Sequence, residues 1–467
     1  MRKFTGLKTA AGALVLLAAT AIVLPAQTFT TLGSFDNKDG AFPTGLVQAT
    51  DGSLYGTTSF GGASGDGVIF KITLSGTLTT LHSFESTDGV EPFAELVQAT
   101  DGNFYGTTEF GGANAEGTVF KITPSGKLTT LYSFCSQSGC TDGYAPSAAL
   151  VQATGGNFYG TTYYGGNLTC VGGCGTVFKI TPSGTLKTLH SFHLADGATP
   201  EAALVQANDG NFYGTTSVGG ASGDGAVFKI TPSGTLTTLH SFDFADGATP
   251  QAALVQANDG SLYGTTPDGG AYSDGTIFKI TPSGTLTMLY SFCSKSGCTD
   301  GAVPTAAMVQ ATDGNFYGTT FNGGAYNDGT IFKVTQSGKL TTLHSFDGTD
   351  GFNPFAALVQ DTNGDFYGTT FYGGPNSYGT IFSLSVGLGP FVKTQTTSGK
   401  VGAAVKILGT SLTGATSVTF NGIPAVFKVF SSSLIGAKVP AGATTGTVQV
   451  VTPGGTLSSN VPFRVTQ

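Results

Sequence analysis

The sequence has no tryptophan and few charges. Only 10% of its 467 residues are Asp, Glu, Lys or Arg. Surface helices need a polar face along their whole length, so this composition argues against a protein built of long charged helices. Acidic residues outnumber basic ones by 28 to 20, which gives a formal net charge of −8. Nucleic acid is not expected as a partner, because a phosphate backbone is bound by an excess of Lys and Arg.

Long hydrophobic runs are also missing, with one exception at the N-terminus. There, three basic residues precede an apolar run over residues 9–24, and Pro25-Ala26 comes after it. That order is typical of a signal peptide, which we place at residues 1–26 with cleavage after Ala26. A retained membrane anchor is the alternative, but the run is shorter than the roughly 20 residues that a span needs. We expect a secreted, periplasmic or cell-surface protein without a transmembrane segment after cleavage.

Cysteine is scarce, and the six residues fall in close pairs. The pairs are Cys135 with Cys140, Cys170 with Cys174, and Cys293 with Cys298. Such spacing is typical of local disulfides in a protein of an oxidising compartment. A zinc site is the alternative, but the Cys293 pair has no second pair in its own repeat that could complete four ligands.

Glycine is abundant, at 72 residues, and shows no collagen-like period of three. Many glycines belong to a repeat with a Tyr-Gly-Thr-Thr core. The tyrosines of this core are Tyr55, Tyr105, Tyr159, Tyr213, Tyr263, Tyr317 and Tyr367, at spacings of 50 or 54 residues. Each unit contains four short β-rich runs, named A to D here, separated by turn residues. Seven units of four strands predict an all-β chain that forms a seven-bladed β-propeller.

A solenoid is the competing architecture, but it leaves two open edges that need capping. The first and last strands favour a closed ring instead. The seventh unit stops after its run C, at residues 379–385, whereas a single run of D type lies at residues 29–35. If this N-terminal run completes the seventh unit, the ring closes and the exposed edge disappears.

The repeat resembles the GloVer tandem-repeat family of exported bacterial proteins across residues 28–385. The proline before run A and the Asp-Gly-Asn-Phe-Tyr sequence that leads into run B are also similar to NHL-type propeller blades. The resemblance implies export and a propeller, to which we assign residues 27–385. The family carries no established catalytic residues, so it implies no active site.

A Gly-rich linker at residues 386–390 comes after the repeats, and residues 391–467 contain short alternating strands. This segment resembles an IPT/TIG domain, which implies an immunoglobulin-like β-sandwich. The motifs that carry the resemblance are Pro390-Phe391-Val392, Gly399 with Gly402, Val405-Lys406-Ile407-Leu408-Gly409, Val418-Thr419-Phe420-Asn421-Gly422, Val439-Pro440-Ala441-Gly442 and Gly446-Thr447-Val448. The proline usual before the first of these glycines is Ser398 here.

Variation between the repeats concentrates on one face. In a four-stranded blade the B–C and D–A connections share a face, and the insertions that lengthen a unit fall there. The residue before the Gly-Gly that ends run B also varies. Its aromatic and amide members are our candidate ligand-binding residues: Phe60, Phe110, Tyr164, Asn322 and Tyr372. Exposed rings stack on sugars, and packing between neighbouring blades is the alternative.

An Asp-Gly pair recurs in each D–A connection, ahead of the proline that precedes run A. The aspartates are Asp39, Asp88, Asp142, Asp196, Asp246, Asp300 and Asp350. We expect Asx-type turns in which the carboxylate accepts backbone N–H bonds. A Ca²⁺ site on these seven residues is the alternative, because hard cations favour several oxygen ligands, although no EF-hand or nonapeptide signature is present. No other cofactor is expected.

The histidines argue against an enzyme. His82, His190, His240 and His344 share one position of run D, and a residue that recurs around a ring is typically structural. No Ser-His-Asp elbow, zinc-hydrolase helix or phosphate loop is present. We expect a non-catalytic binding or scaffold protein that recognises a glycan or an extracellular protein. The alternatives are a polysaccharide hydrolase or lyase that uses carboxylates of the face, and a structural component that self-assembles.

Overall fold

The computed structural model describes residues 27–466, so the predicted signal peptide at 1–26 lies outside the described residues. Strands make up the regular structure of this range, and its helical segments are two short 3-10 turns, Ser138–Cys140 and Ser296–Cys298. Neither turn approaches the length and hydrophobicity that a membrane crossing requires. The all-β class predicted from the sequence is confirmed.

The repeats form four-stranded antiparallel sheets, one sheet per repeat. Strand β1 (Thr28–Ser34) comes first in the chain. The next six sheets run in the order A, B, C, D: β2 (Ala41–Gln48), β3 (Leu54–Phe60), β4 (Val68–Ile72), β5 (Leu78–Ser83); β6 (Val97–Gln98), β7 (Phe104–Thr108), β8 (Thr118–Ile122), β9 (Leu128–Ser133); β10 (Val151–Gln152), β11 (Phe158–Thr162), β12 (Thr176–Ile180), β13 (Leu186–Ser191); β14 (Val205–Gln206), β15 (Phe212–Thr216), β16 (Ala226–Ile230), β17 (Leu236–Ser241); β18 (Val255–Gln256), β19 (Leu262–Thr266), β20 (Thr276–Ile280), β21 (Leu286–Ser291); β22 (Val309–Gln310), β23 (Phe316–Thr320), β24 (Thr330–Val334), β25 (Leu340–Ser345). The seventh sheet contains β26 (Val359–Gln360), β27 (Phe366–Thr370), β28 (Thr380–Ser385) and β1.

The N-terminal strand completes the last sheet, as the sequence predicts. Strand β1 pairs with β28 in antiparallel register, with Thr28 opposite Ser385 and Ser34 opposite Thr380. The edge that the seventh repeat would otherwise expose is therefore hydrogen-bonded.

Strand A is shorter than the predicted Leu-Val-Gln-Ala run. In repeats two to seven it contains only the Val-Gln pair, whereas β2 has eight residues. The first repeat has one residue fewer between its proline and the Val-Gln pair, and Pro43 and Gly45 pair with Thr58 and Thr57 across a register shift. The other repeats leave the ladder in this stretch, so their chain is free to line the centre of the ring.

The tyrosine of each Tyr-Gly-Thr-Thr core connects one sheet to the next. Tyr55 is only 1% exposed, and its ring stacks on Phe104 of the second sheet with centroids 4.2 Å apart. Its hydroxyl donates to Asp51 of its own A–B turn at 2.9 Å. The same bond joins Tyr105 to Asp101, Tyr213 to Asp209, Tyr263 to Asp259 and Tyr317 to Asp313.

The other residues of the core are fixed by close packing and by hydrogen bonds. A Cβ on Gly106 would lie 2.6 Å from Cζ of Phe120, so only glycine fits beneath this ring of strand C. The Thr107 hydroxyl donates to the carbonyl of Ala148 in the next sheet at 3.1 Å. Thr108 bonds the hydroxyl of Thr118 in strand C of its own sheet at 2.8 Å. The motif therefore serves strand pairing and sheet-to-sheet contact together.

These contacts run all the way round, so the first and last sheets also pack on each other. Thr369 of the seventh repeat donates to the carbonyl of Pro43 in the first, at 3.4 Å. One buried cluster contains Leu46 and Phe70 from the first sheet with Tyr367 and Ile381 from the seventh. The sheets form a propeller-like ring around a central cavity of about 160 Å³, which is lined by residues of every repeat.

The C-terminal segment forms two further four-stranded sheets, β29-β31-β35-β34 and β33-β32-β36-β37, and a parallel pair, β30 with β38. The strands are β29 (Val392–Thr394), β30 (Ser398–Lys400), β31 (Ala404–Gly409), β32 (Ser417–Phe420), β33 (Ile423–Pro424), β34 (Phe427–Val429), β35 (Leu434–Lys438), β36 (Val448–Thr452), β37 (Gly455–Ser458) and β38 (Arg464–Thr466). Aliphatic residues fill its core around Phe420 and Phe463, whose rings meet edge to face at 5.1 Å. Two sheets packed over one core match the expected sandwich.

This C-terminal domain covers the face of the ring that carries the A–B turns. Gln395 and Lys406 donate to the carbonyls of Ala99 and Thr100 at 2.9 and 3.0 Å. Elsewhere Ser433 donates to the carbonyl of Thr50, and Asn258 donates to that of Asn460. The opposite face, with the B–C and D–A connections, is left open. It also holds the three predicted disulfides, Cys135–Cys140, Cys170–Cys174 and Cys293–Cys298, which the structure confirms.

We predict that Tyr213→Phe lowers the free energy of unfolding by about 1 kcal/mol, because it removes a hydrogen bond to a carboxylate, which is partly screened by solvent. Tyr159→Phe is the matched control, since Gly155 replaces the turn aspartate in that repeat while the ring still stacks on Phe212. Urea unfolding followed by circular dichroism measures both. Equal losses for the two variants would contradict the role of the turn aspartate.

Candidate functional site

The open face of the ring exposes hydrophobic side chains. Apart from Met288 on a D strand, the large hydrophobic residues that the described part of the ring exposes lie at the end of strand B or in the B–C and D–A connections. They are Phe60, Phe110, Leu168, Val171, Leu194, Val218, Phe244, Tyr272 and Tyr326. Exposed apolar groups concentrated on one side of a molecule are typical of a binding surface.

The predicted ligand-binding residues lie on this face but are spread around it. Each pairs with the residue after the Asp-Gly of its own repeat: Phe60 with Ala41, Phe110 with Val90, Tyr164 with Tyr144, Asn322 with Ala302, and Tyr372 with Phe352. Phe60 and Phe110 are 40% and 39% exposed, and the other three are half-buried. Tyr164 and Tyr372 stack on their partners at 5.2 Å, and Tyr372 also meets Phe42 of the first repeat edge to face at 5.2 Å.

Two further variable positions, called the mouth here, lie at the central cavity or next to residues that line it. One comes directly after Tyr-Gly-Thr-Thr and contains Ser59, Glu109, Tyr163, Ser217, Pro267, Phe321 and Phe371. The other comes directly after the proline before strand A and contains Thr44, Phe93, Ser147, Glu201, Gln251, Thr305 and Phe355. Neither position was identified from the sequence. Their signal is that they change from repeat to repeat directly beside invariant residues.

Aromatic rings line one side of the mouth. Phe93 and Phe355 reach towards each other from repeats two and seven, with centroids 5.1 Å apart, and they narrow the cavity above the small Thr44. Phe371 lies 6.0 Å from Phe355 and 5.2 Å from Phe42. This side offers flat apolar surfaces of the kind on which sugar rings and aromatic side chains stack.

Carboxylates line the other side. Burial raises the pKa of Glu109 to about 7, with a further contribution from the negative charges of Glu91 and Glu201. Burial also raises the pKa of Glu201, although a hydrogen bond with Ser217 opposes the change. The pKa of Tyr163 reaches about 12 for the same reasons, burial first and the charge of Glu201 second. The mouth therefore combines a half that attracts apolar rings with a half that attracts hydrogen-bond donors or positive charge.

The seven aspartates of the D–A connections do not converge on one site. Each lies in its own loop, where its carboxylate accepts a backbone N–H at 2.9–3.1 Å from a residue just after strand D. The N–H donors are Asp36, Glu85, Ser136, His193, Asp243, Ser294 and Asp347. This is the turn that the sequence predicts for these residues.

A ring nitrogen or hydroxyl from strand D completes six of these turns. His82, His190, His240 and His344 place Nε2 at 2.7–2.9 Å from Asp88, Asp196, Asp246 and Asp350. In the repeats with a D–A disulfide, the hydroxyls of Tyr132 and Tyr290 donate to Asp142 and Asp300. The repeated histidines are thus structural partners of the aspartates. A constant interval of six residues between them was the signal in the sequence.

The first repeat lacks this partner, since Gly33 occupies the position. There, burial and the nearby Asp36 carboxylate raise the pKa of Asp39. The disulfide also accounts for the one group in the described residues with the spacing of a metal-ligand set, Asp274 with Cys293 and Cys298, because a disulfide offers no thiolate. The Ca²⁺ alternative for the aspartate row stays a prediction.

We predict that Asp196→Asn destabilises the fold at neutral pH by about 1–2 kcal/mol. Burial alone would raise the pKa of Asp196, but hydrogen bonds from His190 and the His193 backbone outweigh it and lower the pKa. Because the folded pKa lies below the unfolded value of about 3.9, this stabilisation is complete above that pH and disappears as the pH falls through the folded pKa.

Urea unfolding at neutral and acid pH measures the difference between Asp196→Asn and the parent. The control is Asp39→Asn, whose pKa is raised and which has no histidine partner. The Asp196–His190 pairing would be contradicted if the loss of stability in Asp196→Asn were as large at acid pH as at neutral pH. An equal loss of stability in Asp39→Asn would also contradict it.

Solved structures that resemble this fold include the following two. A fungal alcohol oxidase of the AA5 family, in complex with copper, is 13% identical with a TM-score of 0.53, and the match covers 94% of this chain and 99% of the oxidase. The extracellular domain assigned to a hybrid two-component system of B. thetaiotaomicron is 12% identical with a TM-score of 0.50, over 94% of this chain and 57% of that one. Identities this low show a shared fold alone.

No curated protein matches the chain in sequence. The profile of the Gloeobacter/Verrucomicrobia repeat, in contrast, matches residues 8–173, 140–309 and 257–418. The profile of the IPT/TIG domain matches residues 390–465. These matches confirm the resemblance seen in the repeat and in the C-terminal motifs. The chain belongs to the Gloeobacter/Verrucomicrobia repeat family and carries a C-terminal IPT/TIG domain.

Proposed function

We propose that the protein is a secreted or cell-surface, non-catalytic binding protein. Its seven sheets are the blades of one closed propeller, and the mouth on the open face binds a glycan. The IPT/TIG domain serves as a spacer or docking module on the opposite face. Three disulfides indicate a non-cytoplasmic compartment, and the predicted signal peptide agrees with export.

The observation that carries this proposal is the contrast between invariant structural residues and a variable mouth. Residues that repeat without change make the contacts within and between sheets, whereas the mouth changes from repeat to repeat. Phe93 and Phe355 line one cavity together with the polar Gln251 and Glu201, and Phe371 lies 6.0 Å from Phe355. Flat apolar surfaces next to hydrogen-bonding groups suit a sugar, whose ring has an apolar face and a polar edge.

A polysaccharide hydrolase or lyase is the second candidate. The observation that favours it is the pKa of about 7 at Glu109, which keeps part of this group protonated at neutral pH next to Glu201. Glycoside hydrolysis uses two carboxyl groups in different protonation states.

A glycan array and a polysaccharide pull-down test the proposal, with product release assayed in parallel and with Ca²⁺ present or absent. We expect selective binding without turnover. Phe371→Ala and Phe355→Ala should each weaken binding at least about tenfold, or about 1.4 kcal/mol. Met288→Ala is the matched control, because Met288 is 42% exposed but lies away from the mouth.

If the protein releases product and Glu109→Gln abolishes that release, the hydrolase or lyase hypothesis is favoured over a non-catalytic binding function. Absence of binding to every glycan, or binding that is unchanged in Phe371→Ala and Phe355→Ala, would contradict the proposal. Concentration-dependent filaments without any ligand would favour the structural alternative.

A further inference from the structure

The repeats are nearly identical in strand A, so departures from their pattern stand out. The residue before Leu-Val-Gln or Met-Val-Gln is alanine in five repeats, at positions 149, 203, 253, 307 and 357. The second repeat has Glu95 at this position, and the first has Gly45. A Cβ on Gly45 would lie 2.2 Å from Cγ of Glu95. The two changes match each other, because the glycine leaves the space that the glutamate side chain fills.

A second acidic departure lies at the seam where the ring closes. The residue after Val-Gln is alanine in the first six repeats, but it is Asp361 in the seventh. Asp361 is 1% exposed, and its carboxylate lies against the side-chain amide of Gln48 and within the field of the Lys393 charge. A buried carboxylate is costly unless polar or charged groups surround it, so this aspartate in place of alanine marks a polar region at the seam.

The glutamine of the first repeat also departs from the pattern of the others. In repeats two to seven, this glutamine accepts a backbone N–H from the A–B turn of the preceding repeat, as Gln98 does from Thr50 at 2.8 Å. Gln48 instead donates through Nε2 to the Thr362 hydroxyl at 2.9 Å. Its side-chain amide also faces the carboxylate of Asp361, and the residue is only 5% exposed.

Two of these departures line a cavity of about 390 Å³ between the ring and the IPT/TIG domain. Gln48 and Glu95 line it from the ring, and Lys393 of β29 lines it from the domain. Leu46, Leu96 and Phe391 supply apolar walls. The volume lies within the range of roughly 300–1,000 Å³ that is typical of small-molecule sites.

Glu95 and Lys393 share this cavity without forming an ion pair. Among residues 27–466, neither side chain has an oppositely charged group within the 4.0 Å of an ion pair. Burial raises the pKa of Glu95 to about 7, although a hydrogen bond with the Ala357 backbone opposes this. Burial lowers the pKa of Lys393 to about 8, and the charge of Asp361 acts in the opposite sense. A ligand with both charges would satisfy both groups at once.

We propose that this cavity binds an aliphatic α-amino acid, with its ammonium group towards Glu95, its carboxylate towards Lys393 and its side chain against Leu46 and Leu96. The mouth opens on the opposite face of the ring, and Glu95 lines both this cavity and the central cavity beneath the mouth.

Isothermal titration of the purified protein with L-leucine tests this site. Two analogues serve as matched ligands: 3-methylbutylamine lacks the carboxylate, and 4-methylpentanoate lacks the ammonium group. We expect L-leucine to bind and each analogue to bind at least tenfold more weakly. No heat of binding with L-leucine up to its solubility limit, or equal binding of the three compounds, would overturn the proposal.

Substitutions of the two charged residues, Glu95 and Lys393, complete the test. Glu95→Ala introduces the residue of five other repeats, so the fold should persist. This variant should bind L-leucine at least tenfold more weakly than the parent, whereas its affinity for 4-methylpentanoate should be unchanged. Lys393→Met should lower the affinity for L-leucine by a similar factor and leave the affinity for 3-methylbutylamine unchanged. Lys400→Met, on β30 outside the cavity, is the control and should bind as the parent does. L-leucine binding that survives Glu95→Ala unchanged would overturn the site.

Discussion

The structure depends on a tyrosine that belongs to two sheets at once. In Tyr-Gly-Thr-Thr the ring packs on the next strand B while its hydroxyl bonds the turn of its own sheet, as Tyr55 does with Phe104 and Asp51. Each sheet alone would leave this surface exposed, and only a neighbour with the same motif covers it. The contact therefore propagates from repeat to repeat, and the ring is complete when Thr369 reaches Pro43.

This constraint explains where change is tolerated. Gly106 and Thr107 tolerate no substitution, because Gly106 lies beneath Phe120 and Thr107 donates a hydrogen bond to the next repeat. Glu109 lies just beyond the last residue of the core motif, at the mouth. The other repeats have serine, tyrosine, proline or phenylalanine at this position. Because the IPT/TIG domain occupies the A–B turns, the face of the ring that stays open is that of the B–C and D–A connections, which rigid sheets position and disulfides restrain.

Periodicity in the sequence was enough to predict the all-β class, the pairing of β1 with the last repeat, the disulfides and the aspartate turns. It did not reveal contacts that depend on the geometry of the closed ring. The pairing of His190 with Asp196 was visible as an interval but not as a contact. Glu95 looks like a single exception until Gly45 is found against it, and the position of Lys393 depends on how the C-terminal domain docks, which no local pattern encodes.

Hydrogen exchange tests most directly whether an invariant scaffold presents one variable face for binding. Exchange would be followed by mass spectrometry with and without the glycan that the protein retains. We expect added protection in the B–C and D–A connections around Phe93, Phe355 and Phe371, with the IPT/TIG domain and the A–B turns unchanged. Protection centred on the IPT/TIG domain instead would contradict this assignment of the binding face.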